Sequence, residues 1–303
     1  MPIEQVVLVT GCSSEIGHTL CHTLHHARSE WGSPAYRVFA SDYNVDGMAD
    51  LEHAGFETLH MDVTREDSVL CAVRAILKKA GRVDAVICDA GIVSAGPIVD
   101  HNIDNAARVL DINVLGFMRV VQAVTPIMMK QKHGLIVATG CVSSYLTTPF
   151  GGVYSGSKAC LHSITEALRM ELQPWSVGVM LVEVGMFGCT MAQNAVHQLP
   201  PFEKPRPAYK QAFSGETREH LFYLRNNTAP GELRAGAEKV VKAMQKRRPP
   251  RKVQVGGQSK KLKFLGFLQV WLSPRMVSRR LTKACGLDAV ITKMKKRSIS
   301  TQT

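Results

Sequence analysis

Short runs rich in valine and isoleucine alternate along this chain with longer stretches that have helical periodicity. Five runs are apolar at successive positions, which is typical of strands buried on both faces of a sheet. They cover residues 6–10, 37–41, 85–88, 135–139 and 177–184. Helix-compatible stretches lie between them, at 65–79, 105–130 and 154–173. This alternation predicts an α/β fold built on a doubly wound parallel sheet.

The length and composition of the chain favour a single domain. Its 303 residues are 45% apolar, so the chain can bury one sizeable core. Residues 199–236 are rich in proline and weakly periodic, which is typical of a long loop over the sheet, and such loops often form substrate lids. We therefore predict one domain over 1–258, with the lid at 199–236, and a C-terminal extension at 259–303.

The positive charge is concentrated near the C-terminus. Residues 242–303 contain 17 of the 37 lysines and arginines but only one acid, Asp288, which leaves the rest of the chain with a charge of −4. This basic part carries no zinc finger, RNA-recognition signature or basic heptad, so we expect no nucleic-acid partner.

An apolar segment, 264–272, lies within the basic extension. It is far shorter than the about 20 residues that span a bilayer. Because cations flank it, the segment can lie in an anionic interface, which predicts peripheral binding to a membrane or lipid-droplet surface. Alternatively, its apolar side covers a substrate pocket and the cations face water. Both interpretations stay open.

The cysteines and the first residues favour an intracellular protein. None of the eight cysteines forms a Cys-x-x-Cys pair, and no histidine is spaced with them as a zinc ligand. We therefore expect reduced thiols and no metal site. The first apolar run, 6–9, is too short for a signal segment. The expected locations are the cytoplasm or the surface of the endoplasmic reticulum or a lipid droplet.

Three motifs place polar residues at or after the predicted strands. Residues 10–17, TGCSSEIG, follow the first strand and open a helix, where backbone N–H groups and the helix dipole can hold a pyrophosphate. Residues 88–91, CDAG, end a later strand. Residues 154–158, YSGSK, put Tyr154 and Lys158 on one helical face. An ammonium so placed is expected to lower the pKa of the phenol, which then serves as a general acid or base.

Together with residues 113–116, NVLG, these motifs resemble those of the short-chain dehydrogenase/reductase family over about residues 5–195. The resemblance implies a Rossmann-type fold, a nicotinamide-dependent oxidoreductase and a homo-oligomer. It also implies a catalytic set, which is Asn113, Cys141, Tyr154 and Lys158. The cofactor-binding residues that it implies are Gly11, Ser13, Ser14, Ile16, Gly17, Asp42, Asp62, Val63, Ala90, Gly91, Asn113, Tyr154, Lys158 and Thr190.

The residue at the end of the second predicted strand bears on the choice of cofactor. A carboxylate at this position binds the ribose hydroxyls of NAD and repels the 2′-phosphate of NADP. Asp42 occupies the position, and Tyr43 and Asn44 follow where an arginine is expected in NADP-using relatives. We therefore expect NAD to be preferred, with NADP as the second possibility. Alternatively, Asp42 only caps the turn before the next helix.

Four positions depart from the family pattern. The family's serine, thirteen residues before Tyr154, is replaced by Cys141, whose thiol is a weaker hydrogen-bond donor than a hydroxyl. Ser143 is a nearby hydroxyl that could substitute if the loop shifts, although the spacing does not favour it. Glu15 replaces a glycine of the phosphate loop, where its side chain would crowd or repel a pyrophosphate unless it turns to solvent. Asp89 replaces an asparagine, and Cys189 replaces a hydroxyl residue, with Thr190 one residue late.

Two function classes follow from these observations. Residues 134–140 and 149–154 are similar to two branches of the family, the fungal 1-acyl-dihydroxyacetone-phosphate reductases and the 17β-hydroxysteroid and retinol dehydrogenases. This similarity implies an oxidoreductase for a lipophilic alcohol or ketone, such as an acyl lipid, a steroid, a retinoid or a secondary-metabolite intermediate. The alternative is a catalytically impaired paralogue that binds the cofactor or a membrane, which Cys141 and Glu15 favour and the intact Asn113, Tyr154 and Lys158 oppose.

Overall fold

The fold is built on a seven-stranded sheet in which every neighbouring pair of strands is parallel. The computed structural model describes residues 4–29, 32–185 and 230–256, together with 264, 278 and 279. The strands are β1 (Gln5–Thr10), β2 (Tyr36–Asp42), β3 (Glu57–His60), β4 (Ala85–Cys88), β5 (Gly134–Cys141), β6 (Val177–Val184) and β7 (Lys252–Val255). Their order in the sheet is β3-β2-β1-β4-β5-β6-β7.

Helices follow the strands in the way that the alternating sequence predicts. They are α1 (Glu15–His26), α2 (Ala49–His53), α3 (Glu66–Ala80), α4 (Ile103–Leu110), α5 (Phe117–Gln131), α6 (Gly152–Glu171) and α7 (Pro230–Met244). A π-helical turn, Asp111–Gly116, joins α4 to α5 without a break. The predicted α/β fold with a doubly wound parallel sheet is confirmed.

The strand sequences show no alternation of apolar and polar residues, because helices cover both faces of the sheet. On β1, Val7 and Val9 pack into one core with side chains of α1, α2 and α7, whereas Val6 and Leu8 pack into a second core with side chains of α3, α5 and α6. A fully buried aliphatic side chain contributes about 1.5–3 kcal/mol by leaving water. Two such cores explain why valine and isoleucine dominate these strands.

The predicted loop over residues 199–236 is wrong at its C-terminal end, where helix α7 begins. It begins at Pro230 and packs Ala237, Val240 and Val241 into the core beside α1. Residues 230–236, the last seven of the expected lid, are therefore helical. The sequence predicts a loop here because Gly231, Gly236 and Pro230 weaken the helical pattern, whereas packing against the sheet decides the outcome. The remainder of the lid and nearly all of the extension lie outside the described residues.

One continuous helical stretch, Ile103–Gln131, is long and apolar enough to cross a membrane by length and composition. Half of its most apolar window is buried inside the fold. Its buried face includes Val120, Val124 and Met128, which belong to the core on that side of the sheet. Burial of this kind is typical of a core helix.

Candidate active site

The predicted site residues gather at the carboxyl ends of the central strands. The sheet order reverses between β1 and β4, because β2 lies on one side of β1 and β4 lies on the other. In open parallel sheets of this type, the crevice at the reversal is where ligands bind. The loops after β1 and β4 carry Gly11 and Gly91, and β5 ends at Cys141. The helix α6 beside them carries Tyr154 and Lys158.

The loop after β1 is folded tightly by two glycines. Gly11 has a φ of +79°, and a Cβ there would lie 2.7 Å from the backbone nitrogen of Ala90. A Cβ on Gly17 would lie 2.4 Å from the carbonyl oxygen of Gly11. Only glycine fits either position without moving backbone atoms, so the loop lies directly against the start of α1 and the end of β4.

Ser14 caps helix α1 and links it to β4. Its Oγ accepts a hydrogen bond from the Gly17 N–H at 3.0 Å and donates to Asp89 Oδ2 at 3.2 Å. The first-turn N–H groups of a helix have no partners within the helix, and they carry the positive end of its dipole. Glu15 lies in this turn with an exposed side chain and a helical backbone, so the position does not require glycine. Ile16, the next residue, packs against the core.

Asp42 lies at the end of β2 beside the phosphate loop. Its Oδ2 accepts hydrogen bonds from the Ser13 N–H at 3.0 Å and from the Ser13 hydroxyl at 2.8 Å. Its Oδ1 accepts from the Asn44 N–H at 2.9 Å. The carboxylate therefore caps the turn after β2 and also contacts the loop at which a cofactor would be bound. Asp42 is only 5% exposed, so its charge is poorly screened by solvent.

Asn113 is held inside the π-helical turn that joins α4 to α5. Its Oδ1 accepts from the Ile92 N–H at 2.8 Å, and its Nδ2 donates to the Ile92 carbonyl at 2.9 Å and to Ser157 Oγ at 3.0 Å. Single π turns inside helices are frequent at functional sites. Here the turn connects the loop after β4 to helix α6 through one buried amide.

Lys158 is buried on α6 and aimed at the same loop. Its Nζ donates to the Thr139 carbonyl at 2.9 Å and lies 5.9 Å from the centre of the Tyr154 ring. A Cβ on Gly91 would lie 3.2 Å from Asn113 Oδ1 and 3.6 Å from Lys158 Nζ. Burial lowers the pKa of the Lys158 ammonium, and nearby Cys141 and Asp89 oppose that change. The structure thus brings Gly91, Asn113 and Lys158 together.

Asp89 is a buried acid between the phosphate loop and Lys158. It is 4% exposed, and burial raises its pKa to about 6 against the opposing effects of Thr139, Lys158 and Ser14. Thr10 fixes its backbone, because the Thr10 Oγ1 accepts from the N–H groups of Asp89 and Ala90, each at 3.2 Å.

Cys141 ends β5 and begins a short turn that precedes α6. Its thiol accepts a hydrogen bond from the Ser143 N–H, with a nitrogen–sulfur distance of 3.5 Å. The Ser143 hydroxyl is buried and has no hydrogen-bond partner among the described residues. Two donors of different strength, a thiol and a hydroxyl, are therefore carried by this turn.

Two of three further residues predicted to bind the cofactor, Asp62 and Val63, lie in the described part of the chain. Asp62 lies two residues beyond β3 and caps a turn, with its Oδ1 accepting from the Thr64 N–H and hydroxyl at 2.9 and 2.7 Å. Val63 is buried, and a Cβ on Gly116 would lie 2.8 Å from its Cγ2. Thr190 lies outside the described residues. The cofactor contacts of Asp62 and Val63 stay a prediction.

Sequence reasoning missed the residues that support the site from behind. The Thr139 carbonyl holds Lys158, Ser157 binds the Asn113 amide, and Thr10 fixes the loop after β4. A backbone carbonyl leaves no signal in a sequence. Ser157 and Thr10 lie within the recognised motifs, 154–158 and 10–17, but the motifs assign them no supporting role. Their positions on a helix and at a strand end were the signal that could have identified them.

Known proteins are similar to the part of this chain that carries the candidate site. A family model described as short chain dehydrogenase matches residues 5–200. Human 17-beta-hydroxysteroid dehydrogenase type 1 is 35% identical over 189 residues, which cover 59% of this chain and 56% of that protein. The NADPH-dependent 1-acyldihydroxyacetone phosphate reductase of Schizosaccharomyces pombe is 33% identical over 187 residues, covering 61% and 60%. The chain thus spans little more than half the length of these two relatives.

The fold is similar to that of a solved short-chain dehydrogenase from Streptomyces avermitilis. The TM-score is 0.74 with 22% sequence identity, and the alignment covers 93% of this chain and 98% of the other. At that identity the likeness shows the fold, and it agrees with the strand order described above.

Proposed function

Because this chain belongs to the short-chain dehydrogenase family, we propose that it is a nicotinamide-dependent oxidoreductase, which transfers a hydride to or from a lipophilic alcohol or ketone. The observation that carries the proposal is the convergence of Gly91, Asn113 and Lys158 beside Tyr154 at the reversal of the sheet order. A buried lysine beside a phenol on one helix suits proton transfer to or from a substrate oxygen, because the ammonium stabilises the phenolate.

The residues present fit a dinucleotide at this edge. Gly11 and Gly17 keep side chains out of the loop after β1, and the first turn of α1 supplies N–H groups for phosphate. When bound, the nicotinamide supplies the hydride or accepts it. We infer that Gly91 leaves room beside Asn113 and Lys158, because a Cβ there would lie 3.2 Å from the amide oxygen.

The chain's own side chains would move the proton. In reduction, the Tyr154 hydroxyl donates a proton to the developing alkoxide, and in oxidation it accepts one. The Lys158 ammonium stabilises the phenolate electrostatically. Asn113 holds the backbone of Ile92 and thereby the loop after β4. Cys141 or Ser143 would donate a hydrogen bond to the substrate oxygen.

We propose NAD(H) as the preferred cofactor. The support is the Asp42 carboxylate, which contacts Ser13 of the phosphate loop at 2.8 Å and is almost fully buried. A 2′-phosphate at the adjacent ribose would meet this charge, whereas two ribose hydroxyls could donate to it. The yeast relative is named as NADPH-dependent, so the choice of cofactor is where this chain is proposed to differ from it.

A lipophilic substrate is supported by the apolar rim beside Tyr154. Ile98 and Val99 are 62% and 57% exposed. A Cβ on Gly152, two residues before Tyr154, would lie 2.8 Å from Ile98 Cδ1, so Ile98 borders the start of α6. The names of the two relatives specify a steroid and an acylated ketone phosphate. We infer a substrate with a large apolar part, such as an acyl lipid, a steroid or a retinoid.

A second candidate is a cofactor-binding paralogue with impaired catalysis. Cys141 supports it, because the thiol is a poorer donor than the hydroxyl that the family carries at this position. The exposed side chain of Glu15 does not support it, since the loop keeps its shape around this residue. An intracellular location, homo-oligomer formation and peripheral membrane or lipid-droplet contact remain proposals from the sequence.

The test is a comparison of the wild type with Tyr154→Phe. Binding of NADH is followed by energy transfer from protein to nicotinamide, and turnover is measured with a panel of lipophilic alcohols and ketones. We expect Tyr154→Phe to bind NADH as the wild type does and to lose turnover. Turnover retained by Tyr154→Phe would refute the assigned role, and NADH binding without any turnover by the wild type would favour the second candidate.

A further inference from the structure

A buried carboxylate lies behind the turn that carries Cys141. Glu183, on β6, is fully buried, and its Oε1 accepts a hydrogen bond from the Tyr145 hydroxyl. Its Oε2 accepts from Gln254 Nε2 at 3.0 Å, and Lys252 Nζ lies 3.6 Å from its Oε1. A buried carboxylate is tolerated only when its oxygens are bound in this way. Removing one partner should therefore disturb the others.

Tyr145 connects this carboxylate to the turn. It lies four residues after Cys141, and its N–H donates to the Val142 carbonyl at 3.0 Å, which closes the turn. Its hydroxyl also accepts from Lys252 Nζ at 3.1 Å. Strand β7 carries Lys252 and Gln254 and pairs with β6, so the edge of the sheet supports the turn after β5.

Ser144 ties the same turn to helix α6. Its Oγ donates to the Cys141 carbonyl at 2.7 Å and lies 3.0 Å from His162 Nδ1. The His162 ring in turn packs edge-on against the Tyr145 ring at 5.3 Å between centres. His162 is one helical turn beyond Lys158, so the turn and the Tyr154–Lys158 face share one support.

We propose that Tyr145 and Glu183 are positioning residues, which hold the turn 141–145 so that the Cys141 thiol faces the substrate oxygen. They act through the turn and not on the reacting atoms. The thiol contacts the turn through an N–H···S hydrogen bond from Ser143, and sulfur is a weak acceptor, so the direction of the thiol depends on the shape of the turn. A misplacement of about 1 Å can lower a catalytic rate by about a hundredfold. The kinetic part of this inference rests on the proposed function.

The first test needs no activity. The full-length protein is treated with iodoacetamide, and the labelling rate of each cysteine is measured by peptide mass spectrometry. The variants are Tyr145→Phe and Glu183→Gln, and the matched control is Glu57→Gln, which changes a carboxylate bound by Arg37 and Lys79 at the other side of the sheet. Cys160 is an exposed reference on α6, and Cys88 is a buried reference on β4.

We expect Cys141 to label about tenfold faster in Tyr145→Phe. Loss of one hydrogen bond of about 1.4 kcal/mol would raise the population of the open turn by that factor. Cys160 and Cys88 should label at wild-type rates, and Glu57→Gln should resemble the wild type. An unchanged Cys141 rate would overturn the proposal. So would an equal rise at Cys88, because that would indicate general loosening. Glu183→Gln removes the charge of the carboxylate on β6 and should also speed the labelling of Cys141. If Glu183→Gln does not fold, the labelling of Tyr145→Phe alone decides the test.

The second test uses turnover where it is found. Tyr145→Phe should lower kcat about tenfold and leave the Kd of NADH unchanged, by the same loss of about 1.4 kcal/mol. In a Cys141→Ala background the same change should have no further effect on kcat, because both act through one group. Additive effects would overturn the proposal. If no variant or wild type turns over, the labelling test still decides the positioning role, and the proposed function alone fails.

Discussion

Ser13 donates two hydrogen bonds to one oxygen of Asp42, from its backbone N–H at 3.0 Å and from its hydroxyl at 2.8 Å. A loop that would bind phosphate and the carboxylate that would bind ribose are therefore one structural unit. Asp42 also caps its own turn through Asn44. Its Oδ1 caps the turn and its Oδ2 contacts the loop, so capping the turn does not exclude the proposed contact with a ribose.

Replacement of this carboxylate should change the cofactor preference. Two unit charges 4 Å apart interact with about 4 kcal/mol at an effective dielectric of 20 before screening, so the wild type should prefer NADH over NADPH by roughly ten- to a thousandfold. The variant Asp42→Ala/Tyr43→Arg should shift the preference toward NADPH, because Tyr43 is 67% exposed and an arginine there is free to reach the phosphate. The measurement is the Kd of both cofactors.

Tyr43→Arg alone is the control for this double variant, since it adds the cation and keeps the carboxylate. It should improve NADPH binding less than the double variant does. A wild type that already prefers NADPH would show that Asp42 does not face the ribose.

Two glycines in different surroundings should respond oppositely to alanine. In Gly17→Ala the new Cβ would lie 2.4 Å from a backbone oxygen, which must move, so we expect a loss of about 1–3 kcal/mol in the free energy of unfolding and weaker NADH binding. Gly156→Ala adds a Cβ with nothing within 4 Å inside a helix, and should stabilise by about 0.5–1 kcal/mol. Urea unfolding measures both. Equal effects would contradict the packing shown around Gly17.

The thiol of Cys141 should be replaceable by a hydroxyl. Cys141→Ser is expected to keep or raise kcat, because a hydroxyl donates the stronger hydrogen bond to a developing alkoxide. Cys141→Ala should lower kcat by about tenfold or more. Ser143→Ala separates the two candidate donors. If it lowers kcat more than Cys141→Ala does, the donor is the Ser143 hydroxyl, which has no hydrogen-bond partner among the described residues. A large loss in Cys141→Ser would give the thiol a role of its own.

Most of the framework could be predicted from the sequence because its signals are local. Continuous runs of Val and Ile predict five of the strands. The motif at Gly11 predicts the end of β1, and the motif with Tyr154 and Lys158 predicts helix α6. The family follows from the same residues, and the match over residues 5–200 confirms it. These features depend on neighbours in the chain.

What could not be predicted depends on contacts between distant residues. The start of helix α7 lies in the predicted loop 199–236, because Gly231 and Gly236 weaken its helical pattern, whereas Ala237, Val240 and Val241 pack into the core beside α1. The π turn at Asn113 arises where an amide binds Ile92, 21 residues away. Glu183 reads as one charge in an apolar strand, and its partners Tyr145 and Gln254 are 38 and 71 residues away.

The buried acid at the end of β4 should make stability depend on pH. Burial raises the pKa of Asp89 to about 6 from an ordinary value of 3.8, so the folded state favours the protonated form. The stabilisation is complete below the unfolded value of 3.8 and is lost as the pH rises through about 6. A shift of about two units corresponds to about 3 kcal/mol as an upper bound.

We therefore expect Asp89→Asn to gain stability relative to the wild type as the pH rises from 4 to 6, and to keep a constant advantage above about pH 7. The asparagine can still bond to Ser14 and Thr139, and it cannot ionise. Urea unfolding at several pH values measures the difference. Asp104→Asn, which changes an exposed carboxylate on α4, is the control for charge alone. If the difference between Asp89→Asn and the wild type does not vary with pH, then the carboxylate is compensated in the fold, and Lys158 is the group close enough to compensate it.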